Sequence, residues 1–202
     1  METIYFIGGS PCAGKSTIAE MISRQYGLYY FKVDERLEKC TEMGAEKGYP
    51  ICRKQTELSA EEIWMREPEL QCREEFEFYG EVIRFVMADL ERVSCQNGIV
   101  TEGAAYVPVL MKKYGVPGNR YISITPTREF QITHFRERAF IHDVLKGCRS
   151  MERAFQNWME RDVLFAQKVR KQCGENGYVS IINDGSDPVL SMVKRVTAHF
   201  CL

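Results

Sequence analysis

The sequence predicts a three-layer α/β fold, with one five-stranded parallel sheet flanked by helices, and three observations carry that reading. Short apolar runs recur at residues 3–8, 28–33, 98–102, 120–125 and 178–183, separated by stretches with helical periodicity. Strands alternating with helices make parallel sheets, because a parallel pair needs a crossover long enough to hold a helix. Each run is nearly continuous in its apolar character, as expected of strands buried on both faces. The first run leads directly into Gly9, Ser10, Pro11, Cys12, Ala13, Gly14, Lys15 and Ser16, a complete G-x-x-x-x-G-K-[ST] sequence.

That octapeptide, with Thr17 beside it, is a phosphate-binding loop. Its glycines let the backbone N–H groups converge on phosphate oxygens, Lys15 reaches the β- and γ-phosphates, and Ser16 offers an oxygen to Mg²⁺. The helix that follows directs its positive end at the anion. Ile18, Met21, Ile22 and Tyr26 continue that helix, and Gly27 suits its C-terminal stop. After the second strand, Asp34 opens a short helix to about Met43, and Gly44, Gly48 and Pro50 mark a loop. Ser59 with Glu62 forms a capping-box pattern, interrupted at Pro68. Beyond Pro68, Phe76, Tyr79, Ile83, Val86, Met87, Leu90 and Val93 share one helix face until Asn97 and Gly98. A helical stretch covers residues 126–146, and Ser150 opens a long helix that Gly174 and Gly177 bound. The last strand passes through the turn Asn183, Asp184, Gly185, Ser186 into a closing helix, with Pro188 at its first position.

Length and composition fit a single domain spanning residues 1–202, 45% hydrophobic and 27% charged. With 27 basic against 28 acidic residues the net charge is −1, so no broad electrostatic footprint for nucleic acid or anionic lipid is expected. No run approaches the roughly 18 apolar residues of a membrane span, and the strand begins just after Met1, so a cytoplasmic protein without membrane association is expected, as monomer or homodimer. Eight cysteines contain no C-x-x-C pair, which excludes a zinc-ribbon or dithiol pattern and predicts buried thiols. Cys12 stands apart because it lies inside the phosphate loop. His134, His142 and His199 lack the spacing of metal ligands, and Trp64 and Trp158 are expected in the core or partly buried, with stacking on a base or ring the alternative.

A phosphate loop serves GTPases, motor ATPases and kinases alike, so the remaining sequence has to discriminate. No Asn-Lys-x-Asp guanine-reading segment occurs, and the third strand ends Ile99, Val100, Thr101, Glu102 in place of the usual strand-terminal aspartate of motor ATPases. A loop this close to the start of a chain of this length is left to the small-molecule kinases. On these residues the chain resembles the nucleoside-monophosphate-kinase-like family of P-loop kinases, which includes adenylate, cytidylate and shikimate kinases. The resemblance spans nearly the whole chain, with the phosphate loop its one specific motif. It implies ATP and Mg²⁺ as cofactors, a central loop strand, a helical acceptor-binding region at 34–95 and an arginine-bearing lid at 128–161.

Asp34 matches the position where shikimate-kinase-like members hold and help deprotonate an acceptor hydroxyl, and Arg36 stands where such kinases pair an arginine with that acid. Because phosphoryl transfer asks little of a base, Asp34 is expected chiefly to orient the hydroxyl; a helix cap is the alternative. Glu102, at the end of the third strand, is expected to hold a magnesium-bound water or the acceptor, and Gly103 to let the backbone approach a ligand. Arg128, Arg136, Arg138, Arg149, Arg153 and Arg161 are the lid candidates, with Arg136 and Arg138 named as catalytic. Two residues apart on a helix, at most one of that pair points inward. By the resemblance, the Asn183 to Ser186 turn lies where relatives cradle adenine.

The expected activity is transfer of the γ-phosphoryl of ATP to a small-molecule acceptor. A hydroxyl fits Asp34, whereas a nucleoside monophosphate would call on Arg53, Arg66, Arg73 or Arg84. Shikimate itself is disfavoured, since Thr101, Glu102, Gly103, Ala104, Ala105 replace a glycine-rich run. A nucleotide-binding regulator that transfers nothing is the second reading, and near-zero net charge disfavours a polynucleotide 5′-kinase.

Overall fold

A computed structural model describes residues 3–202. Its strands are β1 (Ile4–Gly9), β2 (Tyr29–Lys32), β3 (Ile99–Glu102), β4 (Tyr121–Pro126) and β5 (Val179–Asn183). All neighbours pair in parallel, in the order β2-β3-β1-β4-β5, so the strand feeding the phosphate loop is central. The crossover from β1 runs outward over β3 to β2, and that from β3 runs the opposite way to β4. This reversal opens a crevice beyond the carboxyl ends of β1 and β3, where open α/β sheets bind ligands.

Alternate side chains of β1 feed two different cores. Tyr5 and Ile7 pack with Ile18, Ile22, Ile122, Ile124, Val193 and Phe200, beneath α1 (Lys15–Tyr26) and α10 (Val189–Phe200). Phe6 joins Phe31, Ile99 and Tyr121 on the other face, which α5 (Pro68–Glu91) and α9 (Met151–Asn176) cover. Burying each of these large side chains contributes roughly 1.5–3 kcal/mol, and the period of two along β1 lets one short strand serve both layers.

Between β2 and β3 lie α2 (Asp34–Glu46), α3 (Pro50–Glu57), α4 (Ala60–Trp64) and α5. The helix opened by Asp34 outruns its expected end near Met43 because Gly44 is a packing residue and not a breaker. A Cβ at Gly44 would lie 2.5 Å from Cys52 Sγ, so the glycine lets α2 and α3 touch. Pro50 occupies the first turn of α3, a helix that the sequence reading missed. The Ser59–Glu62 capping box forms at α4, with both reciprocal bonds made. Pro68 starts α5, which ends at Glu91, well before Asn97.

Between β3 and β4 runs α6 (Pro108–Lys113), also unforeseen. The single helical stretch expected over 126–146 is two helices, α7 (Arg128–Arg136) and α8 (Phe140–Leu145). Phe135 and Leu145 bury against Ala154, Phe155, Trp158 and Met159 at the start of α9, a third small core outside the two sheet layers. Ser150 caps α9 by accepting from Arg153 N–H, and Gly177 ends it in the left-handed conformation. Pro188 sits one place earlier than expected, at the N-cap of α10. Among the described residues, no helix is long and apolar enough to cross a membrane.

Candidate active site

The phosphate loop joins β1 to α1 across the central crevice, and its shape follows from close backbone contact. Gly9 has φ of 120°, and a Cβ there would fall 1.8 Å from the carbonyl oxygen of Ile124, so no other residue fits. Cys12 also takes a positive φ, 60°, a conformation that costs a side-chain-bearing residue about 1 kcal/mol and is held by the surrounding turn. Gly14 is the N-cap of α1 at φ 82° and uses no side-chain cap, leaving the first N–H groups of the helix directed at the loop's interior. Lys15 is buried, and its Nζ donates to the carbonyl of Ser10 at 2.7 Å. Ser16 and Thr17 are exposed on the first turn.

Glu102 meets this loop through the sheet register, which sets Ile7 of β1 beside it. It is only 3% exposed and accepts hydrogen bonds from Ser16 Oγ at 3.2 Å and from the Tyr30 hydroxyl at 3.0 Å. Burial raises its carboxyl above the ordinary range and nearby Asp34 adds to the rise, while Lys15, Tyr30 and Ser16 pull the other way. The Ser16 hydroxyl and the Glu102 carboxylate form a hard oxygen donor set beside Lys15, the chemistry that suits Mg²⁺. Tyr30 was absent from the sequence reading. It stands on β2 two residues before Lys32, which pairs with Glu102, and one tyrosine in an aromatic run carries no signal of that role.

Asp34 is the first helical residue of α2 and is exposed at the same end of the sheet. Val33 occupies the N-cap position, so the capping alternative for Asp34 is replaced by a place in the first turn. Its charge is felt by both Glu102 and Tyr79. Arg36, expected beside it on the acceptor, lies over the Phe31 ring at 5.0 Å and 3.9 Å from Asp89. Gly103 has a reason of its own to be glycine, since a Cβ there would meet Val33 Cβ at 2.6 Å; the close approach is to protein.

The six lid arginines separate sharply. Arg138 lies past the end of α7, and its Nη2 reaches Cys12 Sγ at 3.6 Å, so it stands on the phosphate loop. Arg136 turns away to Glu152 at 3.6 Å and the Phe155 ring. Arg128 pairs with Glu160, Arg149 with Glu61 at 3.2 Å, and Arg153 is exposed. Arg161 is no lid residue. It is buried on α9 behind the loop, bonded to Glu75 at 2.8 Å and Asp162 at 2.7 Å, with Trp64 and Trp158 against its guanidinium. Those two indoles stack on each other at 4.3 Å. Burial raises the Cys12 thiol pKa against the opposing effect of Arg138 and Lys15.

Two cavities open around the sheet, and of these the first is lined by loop residues and the second by helices alone. One, of about 290 Å³, is lined by Cys12, Thr17, Phe130, His134, Arg138 and Asn183. Phe130 and His134 stack at 3.9 Å on its wall, and Asn183 Nδ2 donates to the loop carbonyl of Ala13 at 3.2 Å, which ties the β5 turn to the loop. The other, of about 460 Å³, opens among α2, α3, α4, α5 and α9, with Glu38, Glu42, Glu75, Trp64 and Arg161 on its walls. None of the arginines that a nucleoside monophosphate would need lines it. Arg53 pairs with Glu57, Arg66 with Glu74, Arg84 bonds Tyr49, and Arg73 is exposed.

Comparison with solved structures places the fold. A shikimate kinase from Bacteroides thetaiotaomicron matches over 100% of both chains, with 14% identity and a TM-score of 0.56. TT1252 from Thermus thermophilus matches 98% of this chain and 97% of its own, with 20% identity and a TM-score of 0.53. The fold is that of the P-loop kinases. No protein-family model and no curated protein matches the sequence. The P-loop kinase fold accounts for the central loop strand, and the chain's own residues supply the rest of the site.

Proposed function

We propose that the protein is an ATP- and Mg²⁺-dependent kinase of a small hydroxyl-bearing acceptor. The observation that carries this reading is the convergence, at one end of the sheet, of Lys15, the Ser16 and Glu102 oxygens, Asp34 and Arg138. ATP would lie along the loop, its base in the smaller cavity against Phe130 and His134 and its phosphates on the loop N–H groups. Mg²⁺, held through Ser16 with Glu102 behind it, would neutralise charge on the β- and γ-oxygens. Lys15 exchanges its bond to Ser10 for the transferring phosphoryl group, and Arg138 covers it from the lid side.

Asp34 orients the acceptor hydroxyl. That oxygen bonds to the γ-phosphorus while the bond from phosphorus to the bridging oxygen breaks, the electron pair leaves with ADP, and the hydroxyl proton passes to Asp34. The lid helices keep water from competing.

ADP release measured over panels of polyols, sugars, amino alcohols, nucleosides and nucleoside monophosphates tests the reading, together with direct ATP binding. Turnover on a hydroxyl acceptor is expected, and Asp34→Asn should leave ATP affinity intact while turnover falls about a hundredfold, the range of a positioned acid–base group. ATP binding without turnover on any acceptor would make the protein a nucleotide-dependent regulator instead.

A further inference from the structure

We infer that Tyr30 is a positioning residue for the metal: its hydroxyl holds the Glu102 carboxylate and the first turn of α1 in the arrangement that receives Mg²⁺. The inference rests on the Mg²⁺ and ATP site of the kinase reading and goes beyond it in naming the residue, outside the phosphate loop, that sets the site's geometry. Tyr30 stands on the edge strand β2, paired with Val100, while Glu102 pairs with Lys32 two places further on. Alternate residues share a sheet face, so Tyr30, Val100 and Glu102 present their side chains to the same layer. There Val100 belongs to the core of Ile18 and Ile22 beneath α1, and Tyr30 packs against it. The phenol carries its hydroxyl along this face to the carboxyl end of β3, where the phosphate loop turns into α1.

The hydroxyl lies 3.0 Å from Glu102 Oε1 and 3.3 Å from the carbonyl oxygen of Ser16, and Ser16 Oγ donates to the same Oε1 at 3.2 Å. A neutral phenol is a donor, and a carboxylate and a carbonyl only accept, so the direction of these bonds is fixed. Oε1 is thus gripped by two hydroxyls, one from the sheet and one from α1. Oε2, which accepts from no described side chain, is left to serve the metal. Ser16 gives its single proton to Glu102, which keeps the lone pairs of its oxygen for a cation. Ser16 by itself holds the carboxylate loosely, because it is exposed on the loop side, whereas Tyr30 is half-buried with its ring set in the core. Mg²⁺ demands near-ideal octahedral geometry, and Ca²⁺ accepts flexible sites, so a loosened Glu102 penalises Mg²⁺ the more. Groups that orient a metal's partners in this way typically contribute 10- to 100-fold in metal affinity.

Calorimetric titration of ATP into the intact protein, with and without Mg²⁺ and with no acceptor present, tests the inference. The quantity read is the factor by which Mg²⁺ tightens ATP binding. In Tyr30→Phe, which removes one oxygen and keeps the ring, that factor should fall about tenfold while Mg²⁺-free ATP affinity holds. With Ca²⁺ in place of Mg²⁺ the fall should be smaller. Glu102→Gln should lower the Mg²⁺ factor as well, and Tyr30→Phe/Glu102→Gln should lower it no further than Glu102→Gln alone, because one residue acts through the other. An unchanged factor in Tyr30→Phe, an equal loss of ATP affinity with and without Mg²⁺, additive losses in the double variant, or a parent indifferent to Mg²⁺ overturns the inference. An unchanged factor together with ADP release on a hydroxyl acceptor removes the role of Tyr30 and leaves the kinase reading in place. The expected fall without ADP release on any acceptor overturns the kinase reading alone.

Discussion

At the phosphate loop, the groups around the phosphate end come from one strand, the loop after it and the first turn of a helix, with Glu102 joined by the neighbouring strand and Arg138 reaching over from beyond α7. The second cavity is assembled differently, from α2, α3, α4, α5 and α9, so that Glu38 and Arg161 line the same space. The first half is fixed by backbone contacts so tight that Gly9 admits no Cβ. The second is fixed by side chains that neutralise each other, such as Arg161 between two carboxylates. Phosphate needs the same cradle whatever the acceptor, and a backbone cradle is insensitive to side-chain change. On the proposed reading an acceptor needs a site that can vary, and side chains on separate helices would provide it.

The largest expected effect tests whether chemistry belongs to the first half. Lys15→Ala should lower turnover about 10³-fold by removing the cation on the transferring phosphoryl group. ADP release at saturating ATP measures it, and a loss of only a few fold would mean that the loop binds nucleotide without acting on it. Next come the arginines of the proposed lid. Arg138→Ala should cost about 10²-fold or more, because its guanidinium stands over the loop. Arg136→Ala should change turnover by less than about twofold, since its partner is an exposed glutamate. Equal effects of the two would show that the lid acts as a charged surface and not through one placed arginine.

The same contrast explains what could be read from the sequence. β1, the loop and α1 were legible because their determinants are local: an apolar run, two glycines, a lysine and a helical stripe. The sheet followed from strand alternation, and its ends were placed within about one residue. Gly44 misled because a glycine that admits a neighbouring helix has the same letter as one that ends a helix; only Cys52, eight residues on, tells them apart. Arg161 was grouped with the lid because its position after Ser150 is a matter of sequence, whereas its burial depends on Glu75 and Trp64, far away in the chain. Tyr30 escaped for the same reason: it acquires its place from Glu102, a partner that no spacing rule connects to it.

The last expected effect is measured on stability, at the buried cluster of Asp162, Arg161 and Glu75. Burial pushes the Asp162 carboxyl up to about 6, even with Arg161 bonded to it, because Glu75 competes for the same guanidinium. A carboxyl whose folded pKa lies above its unfolded value binds its proton more tightly when folded. Its contribution to stability is therefore complete below about pH 4 and is lost as pH rises through about 6. Asp162→Asn removes this titration, and Arg161 keeps Glu75 as its partner. Urea denaturation at pH values from 4.5 to 7.5 should show the variant gaining on the parent as pH rises, by roughly 1–3 kcal/mol across the range. The sign discriminates between two accounts of the cluster. If Asp162 were held ionised chiefly by Arg161, its pKa would be depressed, and the parent would gain on the variant as pH rises. Parallel curves would mean that the second carboxylate costs nothing there.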